Sequence, residues 1–196
     1  GFAGAQPESA IRALLEPHVQ MPPPAAADPL ELAQALFAEG RYSEAEATLK
    51  ALLSEDNSNA GALILYARCL AERGELVEAQ TVLDAVKSDE HKAALAGAKA
   101  QLTFLRQAKD LPEVADLKTR LAQNAEDDEA AYQLSIQQLS RQQYEAALEA
   151  LLKLFKRNRG YEGGLPHKTL LQVFELLGND HPLVGVYRRK LFAALY

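Results

Sequence analysis

The stretch GYEGGLPHKT, residues 160–169, holds the glycines and the Lys-Thr pair that a phosphate-cradling loop needs. The spacing argues against that use. His167 stands where such a loop has Gly directly before Lys168, and the preceding LEALLKLFKRNR reads as helix, not strand. A loop between two helices is expected instead. The four histidines, His18, His91, His167 and His181, make no i, i+4 pair with one another or with Cys69, so no zinc site is expected. His181 before Pro182 reads as a turn residue. Cys69 lies between Arg68 and Leu70 on a helix and is expected to pack inside; the alternative is a thiol that forms mixed disulfides with a partner. No second cysteine is present to resolve such a bond, so a dithiol cycle cannot run within this chain. Carboxylates are plentiful, as in SEAEATL and NAEDDEA, but no feature marks a cleft that would displace their pKa values. Neither a catalytic nor a cofactor site is predicted.

Basic residues cluster at Lys153, Lys156, Arg157 and Arg159, and again at YRRK, residues 187–190. Cations near helix C-termini explain both, and a small patch for an acidic partner is the alternative. A net charge of -6 argues against nucleic acid and against an anionic membrane surface. One cysteine fits a reducing compartment, and no apolar run is long enough to span a bilayer.

These residues must be positioned by helices. Ala, Leu, Glu and Gln dominate and β-branched residues are scarce, which predicts an all-α fold. From residue 29 the pattern repeats. Gly40 and Gly74 are 34 residues apart, and Gln142 takes the same turn position 68 residues further on. Ala45, Ala79 and Ala147 follow these turns at one spacing, then Leu49, Leu83 and Leu151. Ala33, Leu36, Ala67 and Leu70 mark the helix before each turn. This pattern resembles the tetratricopeptide repeat, and implies antiparallel helix pairs near 29–57, 58–88, 89–126 and 127–160, with capping helices over 165–196. The third repeat is degenerate: Pro112 falls in the first turn of its second helix, and Ala115 takes the small-residue place only after a shift of about two.

The opening residues differ. Ile11, Leu14, Leu15 and Val19 recur at helical spacing, and the Pro-rich segment 21–28 cuts that helix off from the repeats. The GF.G...P...I..LL pattern of residues 1–20 resembles the end of a thioredoxin domain, its last strand end and last helix. A thioredoxin end, a linker, TPR-like repeats and the terminal VYRRKLFAALY together resemble the YbbN family, also called CnoX or chaperedoxin. The resemblance implies that the rest of the thioredoxin domain precedes Gly1, and that the opening helix docks on these repeats or drives a homodimer.

The resemblance further implies a cytoplasmic co-chaperone that holds unfolding client proteins and delivers them to the GroEL chaperonin. Carried over by position, chaperonin docking falls on Tyr187, Arg188, Arg189, Leu191, Phe192, Leu195 and Tyr196. Phe192 replaces an expected tyrosine. Val186, Tyr187, Leu191 and Leu195 can form one packing stripe, with Phe192 and Tyr196 off it, so the last helix reads both as cap and as ligand. From the repeat phase, Gln34, Phe37, Arg68, Glu72, Tyr132 and Ile136 are expected to line the concave partner surface. Two alternatives stand beside this reading: a TPR scaffold for one defined partner, or an accessory domain of a thioredoxin-type oxidoreductase. Fixed polar clamps in the groove would favour the scaffold, and an apolar lining would favour client holding. The chain itself is expected to be non-enzymatic.

Overall fold

The computed structural model describes residues 28–195; the predicted thioredoxin remnant, most of the linker and Tyr196 lie outside them. The described residues form ten α-helices and no strand. They are α1 (Pro29–Ala38), α2 (Tyr42–Glu55), α3 (Ala60–Glu72), α4 (Leu76–Ala85), α5 (Lys92–Lys109), α6 (Val114–Gln123), α7 (Asp128–Ser140), α8 (Tyr144–Arg157), α9 (Leu165–Leu177) and α10 (Pro182–Leu195). A 3₁₀ turn at Tyr161–Gly163 joins α8 to α9, within the glycine-rich stretch that superficially matched a phosphate loop.

The repeat phase is visible in the turns. After α1, α3 and α7 the chain closes the same pair of hydrogen bonds: Gly40 N–H to Phe37 O with Arg41 N–H to Leu36 O, Gly74 to Ala71 with Glu75 to Leu70, and Gln142 to Leu139 with Gln143 to Gln138. This geometry demands a left-handed residue, and Gly40, Gly74 and Gln142 have φ of 75°, 86° and 58°. The first two glycines take it without cost; Gln142 does not. Asp28, Asn59 and Asp127 cap α1, α3 and α7 by accepting backbone N–H bonds at 2.9 Å. The phased small residues Ala33, Ala45, Ala67, Ala79 and Ala147 are all fully buried, as are Leu49 and Leu151. They let adjacent helices approach closely while the leucines fill the space between.

The third and last pairs depart from the expected pattern. Pro112 precedes α6 rather than sitting in its first turn, with Glu113 at the N-cap. Ala115 is exposed, and α6 buries Leu117 alone. The helix packs mainly on α7, so it has one contact seam and no need of a second small position. The terminal pair is not a simple cap. Helix α9 packs against both α8 and α5, two pairs back, while α10 packs chiefly on α8. The close approach of α9 to α5 falls at Gly97, where a Cβ would stand 2.9 Å from the Glu175 carbonyl oxygen. Leu170, Val173 and Phe174 of α9 join Phe104, Ile136, Leu148 and Leu152 in the largest core cluster.

Candidate functional site

The inner side of α1, α3 and α5 carries a connected set of side chains. Gln34, Arg68 and Gln101 occupy equivalent places in successive repeats, spaced by 34 and then 33 residues. The Arg68 guanidinium carbon lies 4.6 Å from the centroid of the Phe37 ring, a cation–π contact. Its Nε donates to Gln101 Oε1 at 2.7 Å, and Gln101 Nε2 donates to the Glu72 carboxylate. Phe37 stacks at a tilt on Tyr42, with centroids 5.1 Å apart. Gln142 Nε2 donates to the Tyr42 hydroxyl at 3.3 Å, joining residues 100 positions apart. The left-handed Gln142 thus spends its backbone strain at a position from which its amide spans the inner face.

Burial governs the electrostatics here. It lowers the Arg68 pKa, with Tyr144, Glu72, Cys69 and Tyr42 opposing. It raises Glu72 above the usual carboxylate range, opposed by hydrogen bonds from Gln101 and Gln142. It pushes Cys69, fully buried behind Arg68, up to about 11, which removes the thiolate that mixed-disulfide chemistry would need. The thiol's packing role is therefore the one that stands.

Between α1, α3 and α5 lies a cleft of about 290 Å³, lined by Leu30, Gln34, Gly61, Ile64, Leu65, Arg68, His91 and Ala94. Its floor is apolar, and three polar side chains reach it from three elements. His91 was not identified as a site residue from the sequence: it sits at the N-cap of α5, outside the repeat phase, bonded through Nδ1 to Ser88 Oγ. Gln101 was also missed, although a 33-residue step from Arg68 reaches it.

Of the other predicted groove residues, Tyr132 lies elsewhere. Its hydroxyl pairs with Thr169 Oγ1 of α9 at 3.2 Å and its ring meets Tyr161. Ile136 does not line a groove: it is fully buried in the core beneath α9, whose arrival converts that face from surface to interior.

The terminal helix also divides. Tyr187 and Leu191 are buried, together with Val184 and Ala194, so the packing stripe runs 184, 187, 191, 194. Val186 and Leu195 lie off it and are 39% and 40% exposed; Phe192 is 65% exposed. The Tyr187 hydroxyl donates to Glu149 Oε2 at 3.0 Å, as does Lys190 Nζ. Arg188 reaches Asn179 and lies over Phe174, and Arg189 is exposed. Tyr196 is outside the described residues. Arg159, of the basic cluster, donates to the Ala194 and Leu195 carbonyls and so caps the end of α10. Arg157 is held by Asp128 and the Ala125 carbonyl. Among the described residues no group of three or more His, Cys, Asp or Glu could hold a metal ion. No described helix is long and apolar enough to cross a membrane.

Helix pairs in this phase, with Gly turns and buried alanines, define a tetratricopeptide-repeat fold. Two family models described as tetratricopeptide repeat match residues 24–102 and 107–196, so the chain is a TPR-containing protein. An uncharacterized protein of Haemophilus influenzae is 28% identical over 141 residues, covering 72% of this chain and 64% of its own length. One of Mycobacterium tuberculosis is 32% identical over 148 residues, covering 73% and 47%. The chain thus spans about half to two thirds of these relatives. Among solved structures, a domain of a Vibrio parahaemolyticus protein of unknown function aligns over 86% of this chain and 98% of its own, at 29% identity and a TM-score of 0.39.

Proposed function

We propose that this chain is a non-enzymatic interaction scaffold that takes up a defined segment of a partner protein in the cleft between α1, α3 and α5. The observation carrying this reading is the fixed Arg68 guanidinium, held in plane by Phe37 and Gln101 at the rim of an apolar floor. Ordered polar groups of this kind select one ligand geometry, whereas holding many unfolding clients calls for an adaptable apolar surface. The two apolar residues expected to provide such a surface are otherwise engaged: Phe37 lies under Arg68 and Ile136 is in the core. A photocrosslinking residue at Ala94, on the cleft wall, tests the reading against one at Thr119, on exposed α6. A discrete partner identified from position 94 alone, and lost with Arg68→Gln, is the expected result. A broad smear of clients, or equal capture at both positions, would overturn it.

A second reading has its own observation. The outer edge of α10, with Phe192 and Leu195 exposed beside Arg189, supports the co-chaperone role that the YbbN-like ending implies. In that reading a cytoplasmic thioredoxin–TPR protein holds clients and presents α10 to a GroEL-type chaperonin. Removing residues 187–196 would delete three core side chains, so it cannot separate docking from folding. Phe192→Ser and Leu195→Ser in the full chain, assayed against purified chaperonin, do separate them. Binding that survives both changes would return α10 to a purely structural part.

A further inference from the structure

Resting on the scaffold reading, we infer that the cleft seats an acidic side chain carried within an extended segment of the partner, its carboxylate on the Arg68 guanidinium. Arg68 is the reason. Its Nε is bonded to Gln101, and among the described residues its two terminal nitrogens have no hydrogen-bond or ion-pair partner. Arg41, Arg73, Arg120, Arg141 and Arg157 each reach a carboxylate. Arg68 does not, although burial already works against its charge. Its nearest candidate, Glu72, is bonded to Gln101 and is itself driven toward the neutral form. A desolvated guanidinium with two unused parallel donors is complementary to a carboxylate taken end-on. The stack on Phe37 and the bond to Gln101 fix its plane in advance, so little ordering is left for the ligand to cost.

The cleft around it fits the same ligand. No carboxylate lines it; Gln34 and His91 add polar contacts, and Leu30, Ile64 and Leu65 form a floor for a flanking aliphatic side chain. The hollow does not end at Arg68. The same arginine, with Ile64 and Ala94, lines a second hollow of about 200 Å³ that runs to Gly97 and the C-terminal turn of α9. The last carbonyls of that helix, which lack intrahelical donors, can accept the N–H groups of an extended backbone. Glu175 borders this second hollow, so the acid belongs in the first. A chain that continues past Arg68 places the acid inside the segment rather than at its end.

The full 196-residue chain is titrated with an array of N-acetylated, C-amidated heptapeptides with Ala, Leu or Val flanks and a central Glu or Gln, and with the Gln set repeated bearing a free C-terminus. The nitrogen-15 signal of Arg68 Nε–H reports occupancy of the cleft. Glu peptides should bind at least about tenfold tighter than their Gln counterparts, the effect of one charge-assisted hydrogen-bond pair. Arg68→Lys should lose most of that preference and Arg68→Gln all of it, with the circular dichroism spectrum unchanged. Gln peptides with a free C-terminus that outbind the Glu set would overturn the internal acid in favour of a chain end. Binding without a Glu preference would overturn the acid while leaving the cleft as partner site. No binding by any peptide overturns the inference, and joined to no cross-link from Ala94 it removes the scaffold reading too.

Discussion

Gly97 of α5 and Glu175 of α9 meet so closely that a Cβ on Gly97 would lie 2.9 Å from the Glu175 carbonyl oxygen and 3.3 Å from the Leu176 Cα. This contact seats α9 against the third repeat rather than beyond the fourth, and it borders the second hollow beside the inner cleft.

Gly97→Ala and Gly185→Ala should therefore have opposite signs. Both glycines are inside helices, where Ala is favoured by up to about 1 kcal/mol. At Gly185 the space is open, and that gain should appear in full as added resistance to urea. At Gly97 the obstructing atoms are backbone, which cannot rotate aside, so a net loss of roughly 1–3 kcal/mol is expected. A stabilised Gly97→Ala protein would show that α9 does not pack here.

The two aromatic residues of α10 should separate stability from recognition. Tyr187→Ala removes a buried ring and its bond to Glu149, and should cost roughly 3–5 kcal/mol in chemical denaturation. Phe192→Ser, at a position 65% exposed, should cost less than about 1 kcal/mol. Equal losses would mean that Phe192 belongs to the packed seam.

Cys69 should be silent toward alkylating reagents in the folded protein. It is fully buried and its thiol is raised to about 11, so little thiolate exists near neutrality and none is reachable. Its rate of modification by iodoacetamide, followed by mass spectrometry against urea concentration, should track global unfolding. Rapid labelling without denaturant would contradict the packing described.

Glu72 sets a pH dependence whose sign is dictated by burial. Its folded pKa lies above the unfolded value, so the stabilising contribution is that of the neutral form, complete below the unfolded pKa and lost as pH rises through the folded one. Glu72→Gln keeps an oxygen for the Gln101 amide and cannot ionise. The variant should melt at a higher temperature than the wild type near neutral pH. The difference should shrink on acidification toward about pH 4, the ordinary Glu range. A difference that grows on acidification would show Glu72 to be stabilised as the anion.

The turns show how far a linear reading reaches. The 34-residue spacing of Gly40 and Gly74 puts Gln142 in the same turn position without a glycine there, and the structure shows that this position is left-handed in all three turns. The alanines after each turn were legible for a similar reason: one small side chain per turn is what a close helix crossing needs, wherever the partner lies. Ala115 departs from that rule because α6 packs mainly on α7 and Ala115 lies off that contact, exposed. On α10 the sequence pattern places Tyr187 and Leu191 in the stripe correctly but takes Val186 and Leu195 where Val184 and Ala194 pack, since a helix of this composition offers more than one apolar face and contact with α8 selects between them.

The candidate site was legible only in part. Gln34, Phe37, Arg68 and Glu72 do gather on one inner face, because residues one repeat apart keep the same orientation in stacked helix pairs. Ile136 obeyed the same phase and is buried all the same, because α9 folds back over it. Local periodicity thus determined the helix pairs, their turns and the identity of most small buried residues, all of which depend on neighbours within one repeat. The tertiary structure alone decided that α9 reaches α5, that Gln142 touches Tyr42 across 100 residues, and that Arg68 is left with unspent donors at the rim of a cleft. Those outcomes rest on packing between distant segments, where no repeating spacing records which surfaces meet.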